Sequence, residues 1–257
     1  IMGSIKLKNS GSLTSELAQM TVAQKKLRLD ELSHDVILPY CVLTAILVLV
    51  AVLLRFARLP DVKPAAPAAG DKTPATGGAR FLPGFTAIFF AVGAEVLAGD
   101  TIGNYGLYHG IDLDIAKNFT SYALFCMMVG YVAGIWAIPR YISQQKAFHV
   151  SAWMGLALVA AVILLPATAS ICCVALLGLA NALLWPAIWP QALKGLEGKA
   201  LARGSAVLIM GIAGGALMPL LYGWLATGIN NQYAYCILIP AYLFLLFYSH
   251  TGIKQAK

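Results

Sequence analysis

A chain of 257 residues that is 60% hydrophobic and 11% charged, with a mean hydropathy of +0.76, is not a soluble globular domain; it reads as an all-α polytopic membrane protein. Its net charge of +7 does not mark a nucleic-acid partner, because the basic residues are scattered between apolar runs, as in loops on one face of a bilayer. Cys41, Cys126, Cys172, Cys173 and Cys236 all lie in apolar runs, away from His or acidic clusters. They indicate neither a disulfide framework nor a zinc site, and they read as small buried hydrophobes.

The chain opens IMGSIKLKNS, without a basic segment followed by an apolar core, so no signal peptide is expected, and the initial Ile suggests a fragment or a processed chain. Residues 11–35 are polar and helix-prone, and too charged to span. A first apolar span covers 36–56. The following RLPDVKPAAPAAGDKTPATGGAR has the composition of a flexible, water-exposed linker. Further spans are expected at 83–108, 118–139, 147–166, 171–192, 204–226 and 233–249, each near the roughly 20 residues that a bilayer requires.

Lys and Arg alternate between the loops. Arg55, Arg58, Lys63, Lys72 and Arg80 follow the first span; Arg140 and Lys146 follow the third; Lys194, Lys199 and Arg203 follow the fifth; Lys254 and Lys257 end the chain. The loop after the second span holds Asp112, Asp114 and Lys117, and the loops after the fourth and sixth hold no charge. Basic loops are expected in the cytoplasm, which places the C-terminus there too. Lys25, Lys26 and Arg28, before the first span, run against this pattern.

With that orientation the last six spans form two three-helix units of opposite direction, a design whose transport sites lie near the midplane on interrupted helices at matching positions. The matching spans are the second and the fifth. The second contains AVGAEVLAGDTIGNYG, with two carboxylates and four glycines, and the fifth reads ICCVALLGLANALLWPAIWPQALKG, with two prolines that remove backbone hydrogen bonds. Both are expected to be interrupted and to face a cavity, since freed carbonyls in lipid need protein or water against them.

Glu95 lies near the middle of its span, where a carboxylate costs on the order of 2.5–3.5 kcal/mol, so a role in cation coupling or substrate contact stands beside a structural one. Asp100 lies about 140° further around an ideal helix, so the two acids should not share a face. Asp100 and Asn104 do share one, towards the outer side, with function and solvation both open. Asn181 and Trp185 are four residues apart, as are Trp185 and Trp189; an amide beside an indole suits a sugar, whose hydroxyls bond the one and whose apolar face packs on the other. An interhelical hydrogen bond is the competing reading for Asn181, and an interfacial anchor for Trp189. The glycine pairs 99/103, 106/110, 130/134 and 211/215 read as helix packing, and His34, His109, His149 and His250 as ordinary interfacial residues. No enzyme signature is present.

VGAEV at 92–96, GDTIGNY at 99–105, IPRYISQQKA at 138–147, GLANALLWPAIWP at 178–190 and VLIMGIAGGALMPLLYG at 207–223 together resemble the glucose/galactose transporter branch of the fucose–proton symporter family, within the major facilitator superfamily. The resemblance implies two six-helix bundles with substrate between them. Residues 1–35 would then be an extracytoplasmic loop with the end of a preceding span, 36–58 the sixth transmembrane helix, 59–82 the cytoplasmic linker between bundles, 83–251 the C-terminal bundle and 252–257 a cytoplasmic tail. It also implies a multi-pass protein of the bacterial cytoplasmic membrane that lacks its N-terminal bundle here.

The expected function is cation-coupled hexose symport by alternating access, with Glu95 and Asp100 coupling to a proton or sodium ion and Asn181, Trp185, Asn104 and Trp189 meeting the sugar. No cofactor and no metal is expected. A seven-helix receptor fits the span count as an alternative, although the last span has no Lys for retinal. An intramembrane protease built on the two acids is disfavoured by their angle.

Overall fold

The computed structural model describes residues 21–56, 81–138 and 140–255, and every regular element among them is helical. Nearly all of the expected linker, most of the expected N-terminal loop and the last two residues lie outside the described residues. The first helix, α1 (Val22–Phe56), runs through the polar segment into the apolar run without a break, with Pro39 inside it. Its apolar stretch, Ile37–Leu53, is shorter than the spans that follow. α1 lies in one compact unit, and residues 81–111 and 115–255 fall in the other.

That second unit holds six helical stretches long and apolar enough to cross a membrane. They comprise α2 (Phe81–Tyr108), α3 (Phe119–Ala137), α4 (Gln144–Leu164), the pair α5 (Ala167–Asn181) and α6 (Leu184–Ala192), the pair α7 (Gly198–Ile209) and α8 (Gly214–Gly228), and α9 (Leu238–Gln255). α2 is the axis of the bundle. Its buried residues Ala87, Ala91, Ala94, Ala98, Ile102 and Tyr105 recur at helical spacing. Because most are alanines, α5, α6, α8 and α9 can all pack against it.

Association in lipid rests on close packing and not on expulsion of water. Two seams show this. A Cβ on Gly214 of α8 would run into the Phe89 carbonyl of α2, and one on Gly178 of α5 would run into the Ala123 carbonyl of α3. Exchanging the two three-helix units maps the α2–α8 seam onto the α5–α3 seam, as inverted repeats require. Gly130 and Gly134 meet Ala182 and Leu183, and Gly211 and Gly215 meet Ile88 and Val96, in line with the packing reading. Gly110 acts through its backbone instead. At φ +76 it closes α2, with the Ile111 amide bonded to the Gly106 carbonyl and the Gly110 amide to the Leu107 carbonyl, a Schellman ending.

The interruptions differ from those expected. α2 is one unbroken α-helix of 28 residues; its glycines sit within regular turns, where glycine weakens a helix without breaking it. The fifth span does break, at Ala182–Leu183 and upstream of both prolines. The Pro186 ring presses on the carbonyl four residues earlier, that of Ala182, and offers it no amide, so the discontinuity falls there. The sixth span is also interrupted, by a 3₁₀ turn at Met210–Ala213, and a 3₁₀ turn at Tyr233–Ile237 leads into α9.

Side-chain bonds pin both ends of the bundle. At the end where α2 finishes, Gln232 donates to the carbonyls of Val162 (2.9 Å) and Leu165 (2.8 Å). Ser170 donates to the Val162 carbonyl (2.7 Å) and accepts from Tyr105 (2.6 Å). His109 closes this end, and burial pushes its imidazole below the usual histidine value. At the other end, which carries Arg140, Lys146, Lys194, Lys199 and Arg203, Gln145 donates to the Ser249 carbonyl (2.7 Å) and Gln191 to that of Tyr248 (3.2 Å). The Ser249 hydroxyl donates to Leu246, so it accepts from His149 Nδ1 (2.8 Å); His149 Nε2 in turn accepts from the Trp153 indole (3.2 Å). His149 is thus a structural joint between α4 and α9, more than an ordinary interfacial residue.

The cysteines are free, and only Cys173 is buried; Cys126 and Cys236 are half-buried, while Cys41 and Cys172 are exposed. The expectation of five buried cysteines fails because a lipid-facing helix surface accepts small apolar side chains as readily as a core does.

Candidate functional site

Glu95 and Asp100 lie five residues apart on α2. Between them lie Ala98 and Gly99, small enough to leave a hollow beside the helix. The hollow is a cleft of about 190 Å³, lined by Glu95, Asp100, Thr120, Met127 and Gly178 among others. It lies among α2, α3 and α5, and the two acids therefore share one cleft despite their angular separation. On the unbroken helix the two acids stay about 140° apart; the small intervening residues let one cleft extend around the helix to both.

Within the cleft the carboxylates are differently placed. Glu95 is half-buried and Asp100 exposed. Among the described residues neither carboxylate takes part in a hydrogen bond within the bundle, while Glu95 lies within electrostatic reach of the Tyr131 and Tyr242 hydroxyls. Thr120 donates to the Gly99 carbonyl across the cleft floor (2.9 Å), tying α3 to α2 between the two acids. Asn104, one turn beyond Asp100, is exposed and does not line the cleft.

Asn181 is elsewhere. It ends α5 and is 1% exposed. Its Oδ1 accepts from the Tyr242 hydroxyl at 2.6 Å, and its Nδ2 is buried without a partner. The Tyr242 ring occupies the space left by Gly155 of α4, where any Cβ would collide with it. Trp185 and Trp189 both lie on α6, beyond the break, with ring centroids 5.5 Å apart and planes 24° from parallel. The indoles form a half-buried stacked pair, separated from Asn181 by the discontinuity.

Sequence reasoning missed Tyr242, Thr120 and Gln144. Tyr242 carried a faint signal, since a phenol inside the apolar run IPAYLFLLF needs a partner for its hydroxyl. Thr120 carried none, because a threonine in a span usually bonds its own helix. Gln144 donates to the Pro186 carbonyl at 2.6 Å, and nothing local to QQKAF foretells it.

No family model matches the chain. A glucose/galactose transporter of Brucella abortus is 30% identical over 84% of this chain and 53% of its own length. A putative glucose/galactose transporter of Helicobacter pylori is 28% identical over 88% of this chain and 56% of its own. The chain thus spans about half the length of the curated relatives it matches. Among solved structures, FucP, a major facilitator transporter in an outward conformation, aligns with a TM-score of 0.75 at 20% identity, over 93% of this chain and 59% of that one. A variant of the fucose:proton symporter FucP of E. coli gives a TM-score of 0.72 at 20% identity, over 93% and 60%. The likeness shows the fold.

Proposed function

We propose, on the premise that this chain belongs to the glucose/galactose transporter branch of the major facilitator superfamily, that it supplies one wall of a cation-coupled hexose symporter. The observation that carries the reading is the placing of Glu95 and Asp100 in a single cleft of an otherwise apolar bundle. Carboxylates at such depth are costly, and they are kept where a cation or polar substrate must be met.

In this reading Glu95, the deeper acid, exchanges the coupling proton or sodium ion, and Asp100 guides it at the mouth. The stacked Trp185 and Trp189 offer the flat apolar surface that a pyranose face packs on, and Asn104 lies on the path to it. Asn181 bonds a sugar hydroxyl through the amide nitrogen that Tyr242 leaves free, in a state where the α5–α6 break has opened. The opposite wall comes from a second six-helix bundle of the same protein, joined through α1 and the segment after it. The end bearing Arg140, Lys146 and Lys194 faces the cytoplasm of a bacterial inner membrane.

The relatives' names speak against a receptor, and against an enzyme using the two acids. The test is accumulation of labelled glucose and galactose in vesicles containing the complete protein, under an imposed proton or sodium gradient. Uptake that neither gradient stimulates, for either sugar, overturns the reading.

A further inference from the structure

Pro190 of α6 has no amide hydrogen, so the carbonyl four residues earlier, that of Pro186, loses the donor a regular helix would give it. Helix α6 runs through both positions. The donor present is the side chain of Gln144, whose Nε2 lies 2.6 Å from that carbonyl oxygen. Gln144 is the first residue of α4, and Ser143 holds the turn by accepting from the Lys146 amide at 3.3 Å. The bond therefore joins the fixed start of one helix to the first turn of the short segment beyond the break. Trp185 and Trp189 flank Pro186 and Pro190 on that segment.

We propose that Gln144 is a positioning residue for the stacked Trp185–Trp189 pair: it stands in for the amide that Pro190 cannot supply and thereby sets the direction of α6. Ala182 and Leu183 interrupt the regular α-helix while their backbones stay in the right-handed helical region, so α6 continues from α5 across an irregular turn. Contacts at its own level then help to set its direction. Gln144 provides a directed one from α4, and Gln191 provides another to α9 through the Tyr248 carbonyl. Without Gln144 the Pro186 carbonyl turns outward and the indoles leave their present angle. The consequence for sugar affinity rests on the function proposed above; the consequence for the indoles does not.

The chemistry predicts a specific rescue. Replacing Pro190 by alanine restores a backbone amide in register with the Pro186 carbonyl, so the side-chain donor becomes redundant. The experiment is a double-mutant cycle of Gln144→Met and Pro190→Ala in the complete protein, purified in detergent. The near-ultraviolet circular dichroism of the indole pair is isolated by subtracting the spectrum of Trp185→Phe, and galactose and glucose binding is measured in parallel. Gln144→Met should weaken or invert the pair's band and raise the sugar dissociation constant roughly fivefold, the loss expected for one such hydrogen bond. In the Pro190→Ala background the same substitution should leave the band unchanged and the dissociation constant within about twofold. Gln144→Asn, one methylene too short to reach, should repeat the effect of Gln144→Met and serves if that variant does not fold. A band that changes equally in both backgrounds, or in neither, overturns the proposal. A rescued band with sugar binding indifferent to both Gln144→Met and Trp185→Phe upholds the positioning role and overturns the sugar-contact reading of the pair.

Discussion

The Tyr242 hydroxyl donates to Asn181 Oδ1 at 2.6 Å, across from α9 to the end of α5, and leaves the amide nitrogen of Asn181 as a buried donor without a partner. A half-satisfied amide in a bundle core is costly. Removing the phenol oxygen leaves both ends of the amide unpaired, so Tyr242→Phe should destabilise the protein by about 1–3 kcal/mol. Asn181→Leu should be milder, because it strands the Tyr242 hydroxyl but removes the amide nitrogen that already lacks a partner, where Tyr242→Phe leaves two unpaired groups. Thermal unfolding of the purified variants checks the order; a Tyr242→Phe melting temperature equal to wild type would mean that the bond contributes nothing.

The same contact predicts a steric effect. Gly155→Ala drives a methyl into the Tyr242 ring, and overpacking of this kind costs about 1–3 kcal/mol. Gly223, on α8, has open space where its Cβ would be. Gly223→Ala should therefore be neutral, or stabilising by up to about 1 kcal/mol through helix propensity. Equal losses at the two positions would contradict the packing described here.

For the coupling role, Glu95→Gln keeps the shape of the side chain and removes its titratable charge. It should impair gradient-driven sugar accumulation more than sugar exchange across the same vesicles. If the variant accumulates sugar as well as wild type does, Glu95 is not the coupling group.

Orientation is testable with single cysteines in a background lacking the native five. A cysteine at Ile111, at the end where α2 closes, should react with an impermeant thiol reagent applied to intact cells. One at Glu197, at the basic end, should react only after the membrane is opened. The reverse pattern would place the basic end outside.

Length and hydropathy were enough to locate every span of the bundle with ends within about six residues, because a bilayer imposes its thickness on each of them. The prolines of the fifth span likewise announced its interruption. What they did not announce was its position, since a proline's steric demand falls on the carbonyl four residues before it and moves the break up to Ala182. The glycines of α2 misled for a related reason: loss of helix propensity at Gly93, Gly99 and Gly103 is small against the packing around the helix, so the helix continues. At the site, Glu95 and Asp100 stood out as acids in an apolar run, yet their shared cleft depends on Thr120 and Gly178 from other helices. The Tyr242–Asn181 and Gln144–Pro186 bonds join residues 61 and 42 positions apart, and no local pattern encodes such pairings.

The seams built on Gly214 and Gly178 have a mechanical consequence. Among the described residues no side-chain hydrogen bond crosses from α2 to α8 or from α3 to α5, whereas α4, α5 and α9 are stitched together by directed bonds near the bundle's ends. A stitch resists both separation and shear. A seam of glycine against carbonyl resists separation only, because van der Waals contact is restored as soon as one smooth surface has glided to the next position on the other. The bundle thus has a grain: it is stiff across α4, α5 and α9, α3 is held to α5 through α2 by the Thr120 and Tyr105 bonds, and the bundle yields most cheaply by sliding α8 along α2.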